Sequence, residues 1–164
     1  LLAVPDISTR PGASGVTLPD RRWLECHIKS IALLGSVLAV QKAKELHASE
    51  AVLHRDGVVT EGSHTNVFAV IDGVLKTHPA NHLVLNGITR RVVLQLAKSS
   101  GVTCQESVFN LTELKSASEV FLTGTTVEIW PIIQLDGNPV GKGEIGPVTK
   151  GLQSLFDRSV DRLP

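Results

Sequence analysis

Two residues of this chain have types and surroundings suited to covalent and acid–base chemistry. They are Lys29, in Cys26-His27-Ile28-Lys29-Ser30, and Glu61, in Val59-Thr60-Glu61-Gly62-Ser63. A lysine amine forms a Schiff base with an aldehyde once it is deprotonated, which burial or nearby cations favour. The flanking Ile28 and Ile31-Ala32-Leu33-Leu34 predict an apolar setting of that kind. A carboxylate such as Glu61, held near a ring nitrogen, can keep that nitrogen protonated. Two further stretches suit an anion. Gly87-Ile88-Thr89 sets backbone N–H groups and a hydroxyl at a predicted helix start, and Gly124-Thr125-Thr126 adds hydroxyls where backbone can approach a phosphate closely. Each signal is weak alone, because a lysine before a helix is usually solvated and an N-cap threonine is more often structural.

Other groups fade as candidates. His78 and His82 have the i, i+4 spacing of a helical metal pair, but Pro79 and Asn81 lie between them in a loop-like stretch, so no metal is expected. Ser63-His64 has no nucleophile elbow around it. The glycines form neither a dinucleotide nor a Walker loop. Cys26 and Cys104 read as small buried apolar residues, and Trp23 and Trp130 as packing.

The elements that must position these residues are legible as patterns. Residues 1–18, with Pro5, Pro11, Gly12 and Gly15, read as a linker or a truncated start, with a short strand near Val16-Thr17-Leu18. Leu33, Val37 and Val40, beside Leu34 and Leu38, predict a largely buried helix ending near His47. Asp56-Gly57, Asp72-Gly73 and Asp136-Gly137, each between apolar runs, predict three hairpins. Gly87-Ile88-Thr89-Arg90 opens a helix with Val92, Val93, Leu96 and Ala97 inward and Gly101 as its stop. A strand is expected over 102–108, a capped short helix from Asn110, and strands over 119–123 and 127–135, where Pro131 argues for an edge or a bulge. Pro147 suits the first turn of a terminal helix. Hairpins interleaved with helices predict an α+β fold with a mixed or barrel-like sheet.

At 164 residues, 42% hydrophobic and 20% charged, the chain fits one globular domain. Sixteen basic residues balance sixteen acidic ones, so no global field recruits nucleic acid or an anionic membrane. No apolar run approaches the roughly 18 residues of a membrane span. Two cysteines make no disulfide framework, and a reducing, cytoplasmic setting is the default. The chain has no methionine, even at position 1, and its Leu1-Leu2-Ala3-Val4 start reads as an interior cut.

Taken in order, these motifs resemble the fold-type IV pyridoxal-phosphate enzymes, most closely the D-amino acid (D-alanine) aminotransferases. The stretches that carry the likeness are Pro19-Asp20-Arg21-Arg22-Trp23, the Lys29 and Glu61 segments, Leu85-Asn86-Gly87-Ile88-Thr89-Arg90, Gly124-Thr125-Thr126 and Gly146-Pro147-Val148-Thr149. The resemblance implies pyridoxal 5′-phosphate as cofactor, attached to Lys29, which also moves the substrate Cα proton. It implies that Glu61 pairs with the ring nitrogen and that Leu85 packs on the ring with Arg22 close by. Ile88, Thr89, Gly124 and Thr125 are implied at the phosphate. The implied reaction is transamination between an amino acid, D-alanine in the first instance, and a 2-oxo acid by a homodimer. Residues 19–164 are implied as the cofactor-binding C-terminal domain, and a smaller N-terminal domain, which supplies a phosphate-binding arginine and a tyrosine at the substrate carboxylate, is expected to be absent.

The chain departs from the family pattern at three places. His27 stands where relatives often have Asp, Ser63-His64-Thr65 where they have a serine-rich loop, and Gly124 where D-alanine aminotransferases often have Ser. Alternatives are a branched-chain aminotransferase, an aminodeoxychorismate lyase-like enzyme, or a non-catalytic domain that keeps the fold.

Overall fold

The computed structural model describes residues 11–160. Nine strands and four helices follow in the order β1 (Ala13–Pro19), α1 (Leu34–Glu45), β2 (Glu50–Arg55), β3 (Val58–Gly62), β4 (Asn66–Ile71), β5 (Val74–Thr77), α2 (Ile88–Ser99), β6 (Cys104–Glu106), α3 (Leu111–Lys115), β7 (Glu119–Gly124), β8 (Glu128–Leu135), β9 (Asn138–Pro139) and α4 (Pro147–Val160). The strands form one mixed sheet ordered β3-β2-β1-β8-β7-β4-β5-β6, with β9 on β8. Strand β1 runs parallel to both β2 and β8 and β5 runs parallel to β6, while the hairpins and the long-range β4–β7 pair are antiparallel. The mixed, curled sheet flanked by helices is the α+β arrangement expected from the sequence.

All three Asp-Gly turns form as read. The φ values are 48° and 80° at Asp56-Gly57, 51° and 77° at Asp72-Gly73, and 50° and 78° at Asp136-Gly137. Positive φ at both central residues gives the turn whose twist matches that of the flanking strands, and Asp and Gly tolerate it.

Both faces of the middle strands are buried, which is why β4 is apolar almost throughout. Phe68 and Val70 pack beneath α2 and α4 with Val93, Leu94, Leu152 and Phe156. Val67, Ala69 and Ile71 face the other way, toward Phe109, Leu114 and Leu122. The Phe68 and Phe121 rings stack 5.0 Å apart across the β4–β7 ladder. Helix α3 starts on a capping box, with the Asn110 side chain accepting from Glu113 N and the Glu113 side chain accepting from Asn110 N. Helix α4 starts on Glu119, whose carboxylate accepts from Val148 N at 3.0 Å and from Thr149 N and Oγ1 at 2.8 and 2.7 Å.

Four expectations need correction. Residues 13–18 belong to β1 in the middle of the sheet and are not linker; residues 1–10 lie outside the described part. Helix α1 is not largely buried, because only Ala43 is enclosed while Leu34, Val37 and Leu38 are exposed. Helical spacing located the apolar residues but not the face that meets the sheet: the small Ala39, Ala43 and Ala48 pack on Ala51 and Leu53. The strand expected over 102–108 is limited to Cys104–Glu106, which pairs only with β5. Pro131 lies in a central strand and not at an edge. Pairing of β8 with β1 begins one residue later, at Ile132, where the register shifts, so the bulge half of the expectation holds.

Candidate functional site

The site lies at one end of the sheet, where β3 finishes, β4 starts and β7 finishes. Because β4 and β7 are antiparallel, with Asn66 opposite Thr123, Gly124 falls beside the loop 63–65 that joins β3 to β4. A cavity of about 620 Å³ opens there, lined by Arg22, Lys29, Glu61, Leu85 and by the loop Ser63-His64-Thr65 with Asn66. An apolar wall of Trp23, Ile28, Ile31 and Leu33 completes it. Trp23, read from the sequence as packing, is thus a cavity residue.

Lys29 sits in irregular backbone between β1 and α1 and is exposed. Its apolar neighbours do not bury it, since Ile28 and Ile31 are themselves exposed. This segment is tied down by Cys26, whose N–H donates to His82 O at 2.7 Å and whose thiol donates to Trp23 O at 3.1 Å. Burial pushes the Cys26 thiol pKa up, so this cysteine stays a neutral anchor.

Glu61 is 4% exposed. Its Oε2 accepts from Asn66 Nδ2 at 2.9 Å and from Leu85 N at 3.0 Å, and Oε1 pairs with Arg22 Nη1. Burial pushes its pKa up to about 7, against the pull of Arg22 and the Leu85 N–H. A carboxyl group poised near neutrality can hold or release a proton at a partner nitrogen.

Arg22 is fixed from behind by Asp20. Its Nε and Nη2 donate to Asp20 Oδ1 and Oδ2 at 3.0 and 2.8 Å, and Thr60 Oγ1 adds a third donor to Oδ2 at 3.0 Å. Burial opposes ionisation of Asp20, but the hydrogen bonds and charge of Arg22 outweigh it and hold the pKa below the ordinary carboxylate range. Arg55 closes the network, donating to Arg22 O at 2.8 Å and lying 3.3 Å from Asp20. The result is a buried relay, Asp20–Arg22–Glu61, that fixes Glu61 at the cavity.

The remaining residues expected at the phosphate are neighbours of this cavity and not part of its lining. Ile88 and Thr89 begin α2 three and four residues after Leu85, with Ile88 exposed and Thr89 buried. Asn66 connects that start to the cavity, since its Nδ2 also donates to Leu85 O at 2.8 Å and its Oδ1 fills the space a Cβ on Gly87 would need. Gly124 abuts the same loop from the other side: a Cβ there would lie 3.5 Å from Thr65 Cγ2 and 3.8 Å from His64 O. Thr125 is exposed in the adjoining turn.

Sequence reasoning missed Asp20, Asn66 and Arg55. Asn66 carried a signal, being the polar first residue of an otherwise apolar strand. Asp20, two residues before Arg22, directly follows β1, and its N–H continues the ladder to His54 O, a placement that no local pattern announces.

The amino-transferase class IV family model matches residues 3–135. The chain belongs to that family. The class IV chain is 46% identical over 150 residues to the D-alanine aminotransferase of Staphylococcus aureus (strain COL), covering 92% of this chain and 53% of that protein. It is 48% identical over 151 residues to the D-alanine aminotransferase of Listeria innocua serovar 6a, covering 92% and 52%. Its structure resembles the branched-chain aminotransferase from Thermoproteus uzoniensis with norvaline, at a TM-score of 0.86 and 33% identity over 92% of this chain and 52% of that one. The holo, PLP-form branched-chain aminotransferase of Thermobaculum terrenum gives a TM-score of 0.86 at 29% identity, over 94% and 52%. The class IV chain thus spans about half the length of the relatives it matches.

Proposed function

We propose that this chain is the cofactor-holding part of a pyridoxal-phosphate-dependent aminotransferase. In this reading the enzyme moves an amino group between an amino acid, D-alanine in the first instance, and a 2-oxo acid. The observation that carries the reading is the convergence of Lys29 and the Arg22-buttressed Glu61 on one cavity. The 45–48% identity to D-alanine aminotransferases supports the D-amino acid preference.

The cavity residues fit the cofactor. Thr65 Oγ1 is buried with no hydrogen-bond partner and belongs to a cavity residue, so a polar ligand group would satisfy it. Gly124 leaves open the approach a side chain would narrow.

Bound pyridoxal phosphate supplies an aldehyde that takes up the amino group and a ring that draws electrons from the Cα–H bond. Lys29 Nζ would hold the cofactor and would then carry the proton between substrate Cα and cofactor C4′. Glu61 holds a proton at the ring nitrogen, and the Asp20–Arg22 pair stops Glu61 from swinging away. Leu85 would pack on the ring, while Ile88, Thr89, Gly124 and Thr125, beside the cavity, would hold the phosphate through N–H groups and hydroxyls.

The reading extends to a homodimer acting in the cytoplasm, with the chain from β1 (Ala13–Pro19) onward as the cofactor-binding domain. Among the described residues no helix is long and apolar enough to cross a membrane, and Cys26 and Cys104 are free thiols. Likeness to branched-chain aminotransferase structures favours L-leucine as the second donor to test. Parallel assays of D-alanine, L-leucine and aminodeoxychorismate with the full-length protein decide. Faster turnover of D-alanine supports the proposal, and turnover of L-leucine or aminodeoxychorismate alone overturns it.

A further inference from the structure

Beside the Lys29–Glu61 pair the cavity carries a second polar cluster. Glu50, first residue of β2, is 1% exposed. Its Oε1 accepts from Ala51 N at 2.8 Å, from Ser63 N at 3.3 Å and from Ser63 Oγ. Its Oε2 has no hydrogen-bond partner but lies 3.2 Å from His64 Nδ1. His64 Nδ1 is also 2.8 Å from Ser63 Oγ. His64 lines the cavity with its side chain 55% exposed, so a buried carboxylate holds one side of a ring whose other side is open.

These contacts orient the ring. Ser63 Oγ donates to Glu50 Oε1, which takes up its single hydroxyl hydrogen. Both groups facing Nδ1, Ser63 Oγ and Glu50 Oε2, are then acceptors, and Nδ1 must carry a hydrogen. That leaves Nε2 for the cavity. With a second proton on Nε2 the ring is a cation with a donor aimed at a ligand. Glu50 then balances its charge at one nitrogen and an anionic ligand at the other. The charged groups around the ring are Glu50 from β2 and, lining the same cavity, Lys29 and Arg22 from the β1–α1 segment and Glu61 from β3.

We propose that His64, oriented by Glu50 and Ser63, is an anion-binding residue of this cavity that takes an anionic oxygen of a ligand on Nε2. The inference rests on the cofactor reading above for the ligand: either the phosphate monoester of the cofactor or the carboxylate of the substrate. The phosphate is the first choice, because the His64 carbonyl lies beside Gly124 and the Gly124-Thr125 turn. Lys29 and Glu61 have no part in this contact; Glu50 is a positioning residue acting through His64.

The test compares pyridoxal phosphate with pyridoxal, which lacks the phosphate, by absorbance titration of the full chain and of His64→Ala, His64→Asn and Glu50→Gln. Loss of one charge-assisted hydrogen bond predicts about tenfold or more weaker binding of pyridoxal phosphate by His64→Ala, with pyridoxal unchanged. Glu50→Gln should lose a smaller factor. Unchanged binding of both aldehydes, with weaker binding of pyruvate to the cofactor-loaded variant, would place the carboxylate on His64 instead and keep the proposal. All affinities unchanged would overturn it. If the wild type takes up neither aldehyde, the cofactor reading fails, and inorganic phosphate decides the anion site alone. Saturable shifts of the His64 ring NMR signals would support it, and their absence would overturn it.

Discussion

Removing the Arg22 guanidinium puts the buried relay to its hardest test. Arg22 is the cationic partner of Glu61 and the closest partner of Asp20, whose side chains are 6% and 0% exposed. Arg22→Ala leaves two carboxylates with Arg55, 3.3 Å from Asp20, as the remaining neighbouring cation. Taking one member from a buried ion pair costs about 3–5 kcal/mol, because the other charge stays desolvated. The cost depends on pH. With Arg22 in place, Glu61 titrates near 7 against its ordinary 4.5. The folded state therefore holds the proton that the unfolded state releases, and stability falls by about 3 kcal/mol as pH rises from roughly 4.5 to 7. Asp20 has the opposite sign: its lowered pKa adds stability above its ordinary 3.8, which is lost as pH falls through the folded value. Without Arg22 both folded pKa values rise, so the deficit of the variant should widen with pH. Urea denaturation of the cofactor-free chain at pH 5 and pH 8 measures this. The expected deficit is about 3–5 kcal/mol at pH 8 and clearly less at pH 5. A deficit equal at the two pH values, or below about 1 kcal/mol at pH 8, would refute the buried relay.

Other substitutions test the remaining supports. Gly87→Ala puts a methyl group into Asn66 Oδ1 and should weaken pyridoxal phosphate binding measurably by titration, since Asn66 also holds Glu61 and Leu85. Glu119→Ala removes three hydrogen bonds from the start of α4 and should cost about 2 kcal/mol or more in urea denaturation. Lys29→Ala should leave stability within about 0.5 kcal/mol, because the side chain is exposed, while abolishing borohydride-fixed label by mass spectrometry.

Much of the architecture was legible because it is local. Each Asp-Gly turn and the Asn110–Glu113 box specifies its geometry within four residues, and all of them form. The site was legible to the extent that family motifs mark it: Arg22, Lys29, Glu61 and Leu85, far apart in sequence, do share a cavity. What sequence could not show depends on long-range placement. The apolar surface of α1 looked buried because spacing gives a face but not its cover, and Pro131 looked like an edge because register shifts leave no local trace. Asp20 and Glu50 gave no sign of being buried carboxylates, since Thr60 and Arg55 reach the one, and Ser63 and His64 the other, only in the folded sheet.

The central claim is that Lys29 holds the cofactor. It is tested most directly by mixing the chain with pyridoxal phosphate, reducing with borohydride and mapping the labelled peptide. The account predicts one label, on Lys29, absent from Lys29→Ala. Label on another lysine with Lys29 unmodified would contradict it.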